Sequence, residues 1–192
     1  MADYFPAFLD LRGRRCLVVG GGAVAERKTR DLLACGASVV VVSPAVTPEL
    51  AELARARLVA HRPRRFRRWD TRGCAVVIAA TGEAAVDAAV AAEARRRHAL
   101  VNVVDAPAHC DFIVPSVLRR GPLQIAVSTG GRSPALAREI RRRLEPMFGA
   151  ELGALVEEVG RRRLRARADA STRAGRIVAG ERAAMLASPA LP

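Results

Sequence analysis

The chain has 192 residues, is rich in alanine and arginine, and carries a formal net charge of +13 with Lys28 as its single lysine. No run of about eighteen apolar residues could span a bilayer and no charged-then-apolar leader opens the sequence, so a soluble, cytoplasmic protein with no membrane partner is expected. The charge asks for an anionic partner, yet aromatic residues are too few for a platform that stacks bases; a small molecule bearing carboxylates or phosphates is expected instead of nucleic acid.

In chain order, the apolar run 16–19 meets Gly20, Gly21 and Gly22 and turns into a helical pattern that stops at Gly36. Gly20 and Gly22 supply the first two glycines of a G-x-G-x-x-G/A fingerprint, and Ala25 takes the small third position where helix and strand pack closely. Gly20 permits the sharp turn, Gly22 lets the backbone approach a pyrophosphate, and the free N–H groups opening the helix favour the anion. A nicotinamide or flavin nucleotide is therefore the expected ligand. The second strand, Ser38–Val42, ends in Ser43, Pro44 and Ala45; the acidic residue expected about 20 positions after the fingerprint, to hold a ribose hydroxyl, is absent. Either Ser43 and the local backbone hold the ribose, or the nucleotide is bound less tightly than in a typical dehydrogenase.

Thr47 caps a helix over 47–56 with Pro48 at its first position. A short strand over 58–61 and an arginine-rich connection lead to the apolar run 74–80, whose lack of alternation marks a strand covered on both faces. Thr81 and Gly82 then turn into a helix over 83–97, and a strand over 100–104 closes a pattern of alternating strands and helices, the signature of a parallel, doubly wound sheet. That strand delivers Asp105 to its C-terminal end, where open α/β sheets bind ligands. Two readings of Asp105 stand side by side: a carboxylate facing a nicotinamide ring, or a turn aspartate held by Pro107.

From Asp105 the period changes. Residues 112–115 and Leu123–Val127 read as strands about a turn at 119–122. Ser133 caps the next helix and Pro134 starts it, with Leu136, Ile140, Leu144 and Met147 on one face; Leu152, Leu155, Val156 and Val159 repeat the pattern. Two amphipathic helices beyond a finished sheet need a partner surface, and a second copy of the chain is the simplest. Arginine and alanine dominate 161–192, read as a helix end and a mobile tail. Cys16, Cys35, Cys74 and Cys110 are scattered without a C-x-x-C pair and read as reduced, small buried thiols; His109, Cys110 and Asp111 are adjacent in sequence and so do not read as a stable metal site.

Four ordered motifs carry a family resemblance over about residues 6–148: the glycine turn with its flanks at 18–28, Asn102-Val103-Val104-Asp105-Ala106-Pro107, Phe112-Ile113-Val114-Pro115-Ser116, and the stretch 126–134 from Ala126 to Pro134. Together they resemble precorrin-2 dehydrogenases, the family that includes the N-terminal half of siroheme synthase. The resemblance implies oxidation of precorrin-2 to sirohydrochlorin with NAD as hydride acceptor, and Asp105 as the general base. It implies that Ala23, Val24, Pro44 and Ala45 hold the nucleotide; Gly20, Gly21, Gly22, Ser43 and Thr81 are expected to complete its contacts. Ser128, Thr129 and Gly130 match a loop bordering the tetrapyrrole, and Asn102 is placed with them; in some relatives a phosphorylatable serine stands where Thr129 is. Some relatives are also chelatases, so transient Fe2+ insertion is a second activity to be tested. The expected organisation is a Rossmann-like NAD-binding domain over 1–112, a small α+β dimerisation region over 113–149 and C-terminal helices over 150–192. The expected assembly is a homodimer built from 115–159, its tetrapyrrole cleft formed partly by both chains. A different class of reading is a non-catalytic nucleotide sensor with a basic interaction surface, which would need neither Asp105 nor the 128–134 loop.

Overall fold

The computed structural model describes residues 4–168, which fall into two compact units, one ending at Ile113 and one beginning at Val114. In the first, β1 (Arg15–Val19), β2 (Ser38–Val42), β3 (Val59–Arg62), β4 (Val76–Ala79) and β5 (Leu100–Val103) form one parallel sheet in the order β3-β2-β1-β4-β5. The winding reverses between β1 and β4. Because successive side chains point to opposite faces, Leu17, Val19, Val77 and Val101 pack with Val90, Ala91 and Ala94 of α3 (Ala84–Arg96). On the other face Cys16, Val18, Val41 and Ile78 pack with Ala25 and Leu32 of α1 (Ala23–Ala34) and Leu50 of α2 (Pro48–Arg55). Cover on both sides is why the inner strands β1, β2 and β4 are apolar over 16–19, 39–42 and 76–79, and the doubly wound sheet expected from the sequence is the one found.

The local signals act as read. Thr47 Oγ1 accepts from the Leu50 N–H at 3.3 Å, with Pro48 at the first helical position. At the end of α1, Gly36 takes φ +73, and the N–H groups of Gly36 and Ala37 return to the carbonyls of Leu33 and Leu32. The arginine-rich connection holds more than a link. A single 3₁₀ turn, Arg68–Thr71, places Asp70 wholly inside, where Arg62 and Arg64 donate to its carboxylate at 2.6–2.8 Å and the Arg67 N–H at 2.9 Å. Burial alone would raise that carboxyl's pKa; Arg64, the Arg67 amide and Arg62 outweigh it and hold it below the usual carboxylate range.

In the second unit the first strand differs from expectation. Residues 112–115 are not a strand; β6 is Ser116–Arg120, it pairs antiparallel with β7 (Leu123–Val127), and the turn is confined to Gly121 and Pro122. Pro115 has no N–H to give a ladder, and the Phe112 carbonyl accepts from the Asn102 side chain at 3.0 Å instead of from a strand. Helix α4 (Pro134–Leu144) begins at its Ser133 cap but stops before Met147: Pro146 turns the chain into a 3₁₀ turn, Glu145–Met147. Helix α5 (Glu151–Ala168) rests its Gly153 on the hairpin turn, where a Cβ would meet the Arg120 carbonyl. Among the described residues of this unit, the buried apolar side chains are Leu118, Ala137 and Leu152, while Leu136, Ile140 and Met147 are exposed. The expected mobile tail lies outside the described residues. No described helix is long and apolar enough to cross a membrane.

Candidate functional site

The loops that leave the C-terminal ends of β1, β2 and β4 meet around the reversal point of the sheet. Gly20 has φ +123, and a Cβ on it would land on the Ala80 carbonyl, close to the Thr81 amide. A Cβ on Gly21 would land on the Ala45 carbonyl and within 2.8 Å of Ser43 Oγ, and the Gly21 carbonyl accepts from the Thr47 N–H at 2.9 Å. The glycine turn is thus clamped between the 43–47 loop and the 80–81 loop. Gly22 is different: a Cβ there would meet nothing within 4 Å.

Gly22 is also the N-cap of α1 and offers no side chain to it, and the first helical bond is that of the Glu26 N–H to the Gly22 carbonyl. The N–H groups of Ala23, Val24 and Ala25 therefore have no partner among the described residues, and they share the positive end of the helix dipole. An open, Cβ-free turn in front of three free donors fits the pyrophosphate of a dinucleotide.

Of the other expected nucleotide contacts, Pro44 and Ala45 form the loop that closes on Gly21. Ser43 is buried and its hydroxyl donates to the Ala45 carbonyl at 2.6 Å, which leaves backbone groups of the loop to meet a ribose. Thr81 Oγ1 donates to Asp87 at 2.7 Å and accepts from the Glu83 N–H at 3.1 Å, fixing the start of α3 beside Gly20.

Asp105 follows β5 at the same edge of the sheet. It is exposed, takes φ +57, and no described residue hydrogen-bonds to its carboxylate. Held by the backbone alone, that carboxylate is open to a ligand. Asn102 is placed otherwise: it is buried, and its Nδ2 donates to the Phe112 carbonyl, so it orders the chain behind Asp105. His109, Cys110 and Asp111 do not converge; Asp111 pairs with Arg95 at 2.9 Å and Cys110 contacts backbone groups. No trio of His, Cys, Asp or Glu among the described residues is gathered as a metal site. All four cysteines are free thiols.

Ser128, Thr129 and Gly130 belong to the second unit, in the loop from β7 to α4. Thr129 Oγ1 is within 3.0 Å of both the Ser133 N–H and its carbonyl, and Ser128 Oγ accepts from the Gly130 N–H at 3.1 Å. Gly130 and Gly131 both take positive φ, which lets the loop turn tightly into the helix. Two features escape the sequence reading: the packing of Gly21, expected as a nucleotide contact, against Ala45, and the buried Asp70. A lone acid among six arginines between 62 and 72 is a signal that could have marked Asp70.

Comparison with known proteins bears directly on this geometry. Residues 7–116, more than half of the chain, match the family described as putative NAD(P)-binding. The chain belongs to this NAD(P)-binding family. Residues 120–147 match the central region of sirohaem biosynthesis proteins, so the two matches cover the motifs at 18–28, 102–107, 112–116 and 126–134. The NAD(P)-binding chain is 48% identical over 153 residues to the siroheme synthase of Methylococcus capsulatus, and 49% identical over 153 residues to that of Chromobacterium violaceum. In each case 80% of this chain is covered; the chain spans about a third of those relatives, 32% and 33%. A solved structure named SirC, precorrin-2 dehydrogenase, superposes with a TM-score of 0.75 at 26% identity, over 91% of this chain and 85% of that one. The precorrin-2 dehydrogenase and siroheme synthase resemblance seen in the motifs is the one the comparisons return.

Proposed function

We propose that the chain oxidises precorrin-2 to sirohydrochlorin with NAD, as a step in siroheme biosynthesis. The observation that carries the reading is the match to precorrin-2 dehydrogenase along nine-tenths of this chain and most of the other. NAD, when bound, supplies the hydride acceptor. The N–H groups of Ala23, Val24 and Ala25 hold its pyrophosphate in front of Gly22, and the 43–45 backbone and Thr81 flank it. Asp105 takes the proton that the tetrapyrrole carbon skeleton loses in the same oxidation. It suits that role because its carboxylate is exposed and unpartnered at the ligand-binding edge of the sheet.

Ser128, Thr129 and Gly130 border the tetrapyrrole in this reading, and arginines attract its carboxylates. NAD is favoured over NADP. The Ser43 N–H donates to the Arg62 carbonyl at 3.3 Å, so β3 ends beside the loop where a 2′-phosphate would lie, yet the Arg62 and Arg64 side chains are held by Asp70. The working form is a homodimer joined through the second unit.

An absorbance assay with precorrin-2 tests this. The sirohydrochlorin spectrum is expected with NAD and more slowly with NADP, and its failure to appear with either overturns the reading. Asp105→Asn keeps the shape and removes the basicity, so it is expected to lower the rate by about a hundredfold or more with NAD affinity unchanged. Full activity in Asp105→Asn removes Asp105 from its role. Incorporation of Fe2+ into sirohydrochlorin without NAD would add a chelatase activity to the same carboxylate.

A further inference from the structure

β5 is the last strand of its sheet, so one side of its backbone has no neighbouring strand. The N–H groups of Leu100 and Val104 turn inward, to the carbonyls of Ala75 and Ala79 at 3.0 and 2.9 Å. Those of Val101 and Val103 turn outward, where a buried edge must find other partners. The chain that follows the strand supplies them with side chains. Val101 N–H donates to Asp111 Oδ2 at 3.0 Å, and Val103 N–H to Cys110 Sγ at 3.1 Å. In return the Asp111 N–H donates to the Val101 carbonyl at 2.8 Å. The Cys110 thiol lies 3.2 Å from the Val103 carbonyl and 3.4 Å from that of Ala106, either of which can take its proton. Asn102 Nδ2 reaches the same sulfur at 3.5 Å.

Residues 110–112 therefore lie along the edge of β5 as a strap, and 104–109 form a closed loop between strand and strap. Asp105 stands in that loop at φ +57, a conformation a non-glycine residue keeps only where its surroundings fix it. Its side chain contributes no bond to a described residue, so the fixing is done by the loop's ties. Beside the backbone bond from the Ala106 N–H to the Val103 carbonyl at 3.3 Å, the Cys110 side chain spans the same turn, holding Val103 two residues before and Ala106 one residue after.

We propose that Cys110 is a positioning residue for Asp105, fastening both sides of the loop so that the carboxylate meets substrate in one orientation. The inference rests on Asp105 being the group that acts in the proposed oxidation. A thiol suits the place: one sulfur accepts from Val103 and Asn102 and donates to a carbonyl, over distances that an alanine leaves empty and a serine hydroxyl spans in part.

The test compares Cys110→Ala, Cys110→Ser, Asp105→Asn and the double variant Cys110→Ala/Asp105→Asn, each in the full chain with NAD and precorrin-2. Cys110→Ala is expected to lower kcat about tenfold, the scale of a small misplacement of a reacting group, with KM and Kd for NAD within about twofold of wild type. Cys110→Ser recovers the larger part. The double variant is no slower than Asp105→Asn, because no carboxylate is left to misplace. Amide hydrogen exchange gives a readout independent of turnover: Val103 exchanges faster in Cys110→Ala while Val18, inside the sheet, keeps its protection. Full kcat in Cys110→Ala beside an inactive Asp105→Asn overturns the positioning role and leaves the oxidation reading standing. Full activity in Asp105→Asn overturns that reading and this inference with it. An equal further loss when Cys110→Ala is added to Asp105→Asn also overturns the inference, since the sulfur then acts by another route. If Cys110→Ala fails to fold, Cys110→Ser carries the test: lowered kcat with faster Val103 exchange supports the role, and wild-type values of both refute it.

Discussion

Gly20 and Gly21 are required by the protein's own packing, Gly20 by its φ of +123 against the Ala80 carbonyl and Gly21 by the Ala45 carbonyl above it, whereas Gly22 faces open space. One substitution made at three adjacent positions therefore separates folding from binding. Gly22 has φ −82 and ψ −176, which any residue adopts, so Gly22→Ala should leave stability within about 0.5 kcal/mol of wild type. It should weaken NAD about tenfold, the loss of one hydrogen bond to a charged group. Gly22→Asp should abolish NAD binding, because its carboxylate takes the anion's place. Gly20→Ala should cost about 1–3 kcal/mol of stability through backbone strain, and Gly21→Ala a similar amount through the clash of its Cβ with the Ala45 carbonyl. Thermal unfolding and calorimetry on the four proteins check the pattern; equal damage at Gly22 and Gly21 would show that the turn has no outward-facing position.

At the scale of elements, the connection between β3 and β4 depends on the pairing of Asp70 with Arg62 and Arg64. Asp70→Asn removes the charge from a fully buried side chain while the two arginines keep partial access to water. A loss of about 2–3 kcal/mol is expected, below the full cost of breaking a buried pair. The folded-state pKa of Asp70 is lowered, so its contribution is fully present above its unfolded value, near pH 4, and is lost as pH falls through the folded value. Asp70→Asn should therefore narrow its deficit against wild type as urea unfolding is repeated from pH 6 toward pH 3, and a constant deficit would count against the pairing. β2 was legible to the residue, because a run of four valines lies between a helix-stopping Gly36 and Pro44. The glycine turn and the strand that delivers Asp105 were legible for the same reason: each is a short-range pattern. β6 was not. Its arginines at 119 and 120 look like a turn, and the apolar 112–115 looks like a strand, but long-range bonds from Asn102 and Asp111 hold the segment from Asp111 onward away from a ladder. The partners of Asp70 and Cys110 were not legible, because Arg62 and Arg15 lie 8 and 55 residues from Asp70 and Val103 lies 7 from Cys110, each on another element.

For the whole molecule, the second unit buries Leu118, Ala137 and Leu152 among its described apolar residues and leaves Leu136, Ile140 and Met147 exposed on or next to α4. In the proposed homodimer, this uncovered apolar face beside a small core is what a second copy covers. Light scattering at micromolar concentration is expected to give a dimer, and Leu136→Glu/Ile140→Glu a monomer with the first unit's NAD binding intact; a wild-type monomer would rule the interface out. The uncapped start of α1 has a consequence for the chain's life in a cell. Most helices carry their own cap; in the proposed function this one borrows it from a dissociable nucleotide, which would link folding to cofactor supply. Each tenfold rise in NAD above its dissociation constant adds about 1.4 kcal/mol to the folded state. On that reading scarcity is sensed as instability: when the nucleotide pool falls, the fraction of chains open to proteolysis rises, and the abundance of the proposed enzyme follows the supply of its own oxidant.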